Sequence, residues 1–334
     1  MKAGEDMKRQ FHALIALAMK HQASDIHFTR VQSKLKATLR GKDGLQEVKS
    51  TIIDESLLNY LRYIAHLDLG SGYLGQSGNF IYEFQGTLLN FRFSYLSTTQ
   101  NITAVLRILN NHEKLFLEDI MKDKELECFK KWCQLSSGLV VLSGPTGSGK
   151  TTLLHACMKD IANRGTQRIV TLEDPIEIVD DSYIQLQINE KVAFTYEYGI
   201  KELMRHDPDV VMIGEVRDES SAKMMIRLAL SGHLVFTTVH ARNALGVIHR
   251  LQQFGIERDD LKVALVAVSS QRLFTKKNTN HKICLLEILE GENLQCALNH
   301  QPMHNHRSLE DKIYEAYQKG LIDDEDAKKF IPYP

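Results

Sequence analysis

The chain has 334 residues, 43% of them apolar, more than one ordinary core accommodates, so it reads as two domains. Forty-one Lys and Arg offset 42 Asp and Glu, so global charge argues neither for a nucleic-acid binder nor for an acidic-tailed protein; any phosphate recognition must be local. The five cysteines are odd in number and form no CxxC pair, which predicts reduced thiols in a cytosolic protein and no zinc site.

In chain order, Phe11, Leu14, Ile15 and Ala18 recur at helical spacing and predict an amphipathic helix over 7–22. That segment lacks a signal-peptide cleavage pattern, and no run approaches the ~18 apolar residues that cross a bilayer, so a membrane role would be exercised from the cytoplasmic side. Short alternating segments at 25–28, 35–39 and 45–48 predict strands. Asp54 then caps a helix to about His66. Gly70, Gly72, Gly75 and Gly78 mark a loop, followed by strands near 80–84, 88–95 and 103–109. Residues 1–110 thus form a small α+β domain, and the polar stretch 111–117 is a linker with a hinge near 110–114.

The second domain, 118–334, opens with a helix over 122–135. Near-continuous apolar strands at 138–143, 168–172, 209–213 and 233–238 then alternate with helices, and the tail from Ser308 reads as two short helices. Such alternation predicts an α/β fold with a mostly parallel sheet whose strand ends share one ligand-binding edge. The first of these strands runs into Gly144, Pro145, Thr146, Gly147, Ser148, Gly149, Lys150, Thr151 and Thr152, which matches GxxxxGK[ST] between a strand and a helix. Glycines let backbone N–H groups turn inward as an anion nest at a helix N-terminus; Lys150 would reach the β and γ phosphates of ATP and Thr151 would complete a Mg²⁺ shell.

Three later strand ends carry polar residues. Glu173, Asp174 and Glu177 crowd the turn at Pro175, where hydrolysis would need one carboxylate for water and others for Mg²⁺. Glu215 follows four apolar residues of the 209–213 strand, the position of a Walker B acid. His233 and His240 bracket the last strand. Each cluster alone has a plainer reading as caps, solvated turn residues or hydrogen-bonded histidines; together, after a good P-loop, they point to one nucleotide site.

The ordered runs Gly-Pro-Thr-Gly-Ser-Gly-Lys-Thr-Thr, Leu-Glu-Asp-Pro-Ile-Glu, Asp-Pro-Asp-Val-Val-Met-Ile-Gly-Glu-Val-Arg-Asp and Gly-His-Leu-Val-Phe-Thr-Thr-Val-His resemble the Walker A, Asp box, Walker B and His box of the secretion ATPase family. That family drives type II secretion, type IV pilus assembly or retraction, and DNA-uptake pili. The likeness reaches back to Ala-Ser-Asp-Ile-His-Phe at 23–28 and Asn-Phe-Arg-Phe-Ser at 90–94. It implies a RecA-like P-loop NTPase domain behind a PAS-like N-terminal domain, with Glu177 as catalytic carboxylate, Glu215 as the Walker B acid, and His233 and His240 sensing phosphate or coupling sites. It further implies a homo-hexamer in which Arg92 and Arg107 of the first domain serve as phosphate cations. The expected partner is a polytopic membrane platform protein, with pilins moved indirectly.

Gln271-Arg-Leu leads to Cys284 without a four-cysteine element, so the resemblance carries no zinc here. The extra N-terminal domain of larger assembly enzymes and the C-terminal motif of retraction motors are also missing, which points to the competence-pilus branch. Pilus retraction and type II secretion are the neighbouring alternatives. A nucleic-acid translocase is a different class, favoured by the basic strand Lys34, Lys36, Arg40 and Lys42 and opposed by the near-zero charge and lack of a stacking platform; no direct nucleic-acid partner is expected. A nucleotide-binding scaffold without turnover is opposed by the intact acidic motifs.

Overall fold

The computed structural model describes residues 2–31, 34–41, 44–48, 53–70, 75–98, 101–109, 116–277, 279, 282–328 and 330, and divides into two compact units, Met1–His112 and Glu113–Pro334. Residues 110–115, which contain the expected hinge, lie outside the described residues, as does Gly72.

The first unit contains α1 (Lys2–Lys20), β1 (Asp25–Val31), β2 (Lys34–Gly41), β3 (Gly44–Glu47), α2 (Glu55–Ile64), β4 (Gln76–Phe84), β5 (Thr87–Ser97) and β6 (Ile102–Leu109). Its sheet is antiparallel throughout, in the order β3-β2-β1-β6-β5-β4. Alternation decides its faces. Ile26, Phe28, Phe91, Phe93 and Leu106 join Phe11, Leu14, Leu57 and Leu61 of the helices in one core. Phe11 is the hub, its ring centroid 4.7 Å from that of Tyr82 and 5.5 Å from that of Phe91. Asp54 caps α2 as its side chain predicts, accepting from the Leu57 amide at 2.8 Å. Gly78 is in strand β4 rather than in the expected loop. A Cβ there would lie 2.0 Å from the Ala65 carbonyl oxygen, so glycine admits the end of α2 against the strand.

The second unit begins with α3 (Leu117–Ile120), α4 (Asp123–Trp132), β7 (Gly138–Ser143) and α5 (Lys150–Ala162). It continues through β8 (Ile169–Glu173), β9 (Ile184–Gln187), α6 (Tyr196–Leu203), β10 (Val210–Ile213), α7 (Glu219–Leu230), β11 (Leu234–Val239), α8 (Ala244–Gln253) and α9 (Arg258–Ala264). The chain then forms β12 (Leu265–Thr275), β13 (Lys282–Glu290), α10 (Gly291–Leu298), α11 (Leu309–Gln318) and α12 (Asp324–Lys328). The sheet order is β13-β12-β7-β11-β10-β8-β9, parallel except for the β12–β13 hairpin at one edge. This is the RecA-like α/β arrangement. Strands β7, β8, β10 and β11 are buried along their whole length, which explains their near-continuous apolar sequence. Leu139 and Val141 face a core shared with α6–α10, whereas Val140 and Leu142 face one shared with α3–α5. Consecutive strands β7 and β8 are separated by β11 and β10, so four loops distant in sequence meet at one edge.

The α4 helix is anchored by Trp132, fully buried, whose Nε1–H donates to Glu290 at 2.6 Å and whose ring lies 4.4 Å from that of Phe129. Trp132→Phe removes that bond and part of the packing but leaves an aromatic ring. It is expected to destabilise the second unit by about 1–2 kcal/mol, read from the urea-denaturation midpoint.

Candidate active site

The P-loop turn is built on glycine. Gly144, Gly147 and Gly149 adopt φ of 146°, 78° and 85°, and Gly149 is the left-handed N-cap of α5. A Cβ on Gly144 would sit 2.5 Å from the Gln271 carbonyl and 2.6 Å from Ser148 Oγ, so the β12 backbone passes directly beneath the loop. Gln271 fastens the same contact by donating its side-chain amide to the Ser148 carbonyl at 2.6 Å. Pro145, Thr146 and Gly147 are exposed, while Gly144 and Ser148 are buried.

Above this loop lies a cavity of about 550 Å³, walled by Lys150, Thr151, Thr152, Glu177, Glu215 and His240 among others. Lys150 Nζ donates to the Gly144 and Pro145 carbonyls at 2.8 and 3.0 Å, folded back over the turn. Burial pulls its pKa down, while Glu215 and Glu177 oppose that shift. An ammonium poised over a glycine-rich turn at a helix N-terminus, with a hydroxyl and a carboxylate beside it, suits a polyphosphate and a divalent cation.

Glu215, just beyond β10, is held from two sides. Its Oε2 accepts from Arg217 Nε at 2.9 Å and Nη2 at 2.8 Å, and its Oε1 lies 3.0 Å from His240 Nε2. The bond to Glu215 in turn raises the Arg217 pKa. Arg217 also approaches Asp174 at 3.9 Å. Glu177, by contrast, is exposed at the cavity wall and makes no ion pair among the described residues. Thr237 and Thr238 donate their hydroxyls to the Ile213 and Gly214 carbonyls, which locks the end of β11 to the end of β10 and fixes the spacing of His240 and Glu215.

Of the residues singled out from sequence, the nine P-loop positions, Glu173, Asp174, Glu177, Glu215 and His240 gather at this edge. Glu173 does so from the interior. It is 3% exposed, and its carboxylate accepts from Thr171 Oγ1 at 2.6 Å and Gln185 Nε2 at 2.9 Å and lies 3.1 Å from His155 Nε2. His233 is elsewhere. It precedes β11, the far end of a six-residue strand from His240, about 20 Å away at strand rise, and its Nδ1 is within hydrogen-bond distance of Ser231 Oγ and the Leu228 carbonyl.

Arg92 and Arg107 belong to the first unit, as direct cross-strand partners on the interior strands β5 and β6. Arg107 Nε donates to buried Asp25 at 2.7 Å. Arg217, Gln271 and Tyr196 join the site without belonging to any of the motif positions assigned a role from sequence. Arg217 was visible two residues after Glu215 but its partner was not; Gln271 and Tyr196 reach the site only through the fold. Burial, assisted by Asp174, raises the Tyr196 pKa, so it stands as a neutral hydroxyl in the cavity wall.

The chain is 34% identical over 310 residues to competence protein ComGA of Halalkalibacterium halodurans, covering 86% of this chain and 89% of that one. It is also 34% identical over 269 residues to type II secretion system protein E of Pectobacterium carotovorum, covering 79% of this chain and 54% of that longer protein. Among solved structures, the pilus retraction motor PilT with bound ADP superposes with a TM-score of 0.77 over 97% of both chains at 24% identity, which shows a shared fold. The profile described as type II/IV secretion system protein matches residues 2–316, and the chain belongs to that family.

Proposed function

We propose that this protein is a Mg²⁺-dependent ATPase, working as a homo-hexamer at the cytoplasmic face of the membrane, that powers assembly of a competence (DNA-uptake) pilus. The observation that carries the hydrolytic reading is the single cavity holding the P-loop lysine together with two acids in contrasting environments. Competence proteins are among the relatives matched over most of their length, whereas only about half of the type II secretion protein is matched, which supports that branch over secretion. Among the described residues no helix is long and apolar enough to cross a membrane, so the mechanical partner in this proposal is a separate membrane platform protein, through which pilins are moved.

The residues divide the chemistry by their surroundings. The P-loop backbone and Lys150 hold the β and γ phosphates, Lys150 exchanging its present carbonyl partners for phosphate oxygens. Thr151 and Glu215 would hold Mg²⁺, Glu215 partly through water, with Asp174 beside it; the ion supplies charge neutralisation on the phosphates. Glu215, held by Arg217 on one side and His240 on the other, is fixed in position. Glu177 has no such partner among the described residues, so its carboxylate can orient water and accept its proton. His240, in contact with Glu215, would report whether phosphate is present. Glu173 is spoken for by Thr171 and Gln185, which favours a supporting role over direct metal binding. Arg92 and Arg107 remain phosphate cations in this proposal, and His233 couples sites.

Two outcomes test this reading. Lys150→Ala is expected to weaken binding of a fluorescent ATP analogue about 10- to 100-fold, the loss of a charge-assisted bond to phosphate. Glu177→Gln is expected to bind ATP as the unaltered protein does while turnover falls about 100-fold or more in a phosphate-release assay. Undiminished hydrolysis would remove Glu177 from the role of base.

A further inference from the structure

Below the cavity lies a buried polar cluster that phosphate chemistry does not use. His155 is 4% exposed and sits on α5 one turn beyond Thr151, on the same helix face. Its Nδ1 lies 2.6 Å from the Tyr183 hydroxyl and its Nε2 3.1 Å from Glu173 Oε2. A neutral imidazole protonated on Nε2 satisfies all three groups: Tyr183 donates to Nδ1, and Nε2–H donates to the carboxylate.

From Glu173 the chain of bonds continues outward. Oε1 accepts from Gln185 Nε2, which also donates to the Ile178 carbonyl at 2.8 Å, while Gln185 Oε1 accepts from the Asp180 amide at 2.8 Å. On the other side of Glu177, the Ile176 amide donates to Gln187 Oε1 at 3.4 Å. The main chain is therefore tied to β9 immediately before and after Glu177, and β9 is tied through Glu173 to the helix that starts at Lys150. Burying an imidazole and a carboxylate between helix and strand costs more than apolar packing unless every group is paired, and here the pairing runs directly to the loop that carries Glu177.

We propose that His155, Glu173 and Gln185 are positioning residues, a hydrogen-bonded strut that makes the placement of the Glu177 carboxylate depend on the phosphate-binding helix. The proposal rests on the hydrolytic reading above and extends it.

The test compares the full chain with His155→Leu, Gln185→Leu, the double variant and His155→Gln, which keeps an N–H donor for Glu173. Gln185, half-buried on the edge strand β9, keeps the test available if His155→Leu does not fold. Two readouts are taken: steady-state ATP hydrolysis, and amide hydrogen exchange over 176–182 without nucleotide. The strut predicts kcat lowered about 10- to 100-fold in either Leu variant with KM for ATP within about twofold, as for a misplaced catalytic group. It predicts a double variant no worse than the poorer single, substantial recovery in His155→Gln, and faster exchange at 176–182 with β12 unchanged. Unchanged kcat and exchange in folded variants, or losses that multiply in the double, would overturn it. Exchange that responds in a protein whose turnover never exceeds that of Lys150→Ala would keep the strut and overturn the hydrolytic reading instead.

Discussion

The parallel registers that place Val211 opposite Val235, and Phe236 opposite Val140, hold the second unit's chemistry together. In a parallel sheet each strand delivers its following loop to the same edge. The order β7-β11-β10-β8 therefore sets the P-loop, His240, Glu215 and the Glu173–Glu177 turn side by side although long helical segments separate them in sequence. A slip of one residue in β10 would turn Glu215 away and move Val211 and Ile213 out of their core, so burial and site geometry are enforced by the same pairing. The threonine bonds from β11 to the end of β10 reinforce that register at the point where it matters most.

Within that frame, two glutamates of identical intrinsic acidity are given different work by their neighbours. Glu215 is bracketed by Arg217 and His240, which together hold its carboxylate in one place. Glu177 stands exposed without an ion pair among the described residues, its loop anchored through the main chain of Ile176 and Ile178 on either side. Lys150 meets the opposite problem. Burial disfavours its charge, so the site gains by bringing phosphate to it.

Much of this was legible from the chain. The P-loop glycines, the helix cap at Asp54 and the near-continuous apolar strands each rest on local chemistry, and the structure has them where their patterns predict. Gly78 misled because a glycine read alone signals a turn, whereas here it answers a close approach by Ala65 from another element. His155 carried no signal either: a histidine inside a largely buried helix reads as a core residue until Glu173 and Tyr183 are brought against it. His233 and His240 look equivalent in sequence, since both flank one strand. Only the direction of β11 in the sheet separates them, His240 at the cavity and His233 at the far end.

By itself, the sequence determined the residue types and spacings of the phosphate loop and of the acidic strand ends, because a tight anion nest and a carboxylate after an apolar strand need only short-range order. The tertiary structure decided which of those acids is paired, which is buried and which is left open, and it supplied Arg217, Gln185 and His155 as their partners. Pairing and burial depend on neighbours distant in the chain, and no local pattern records them.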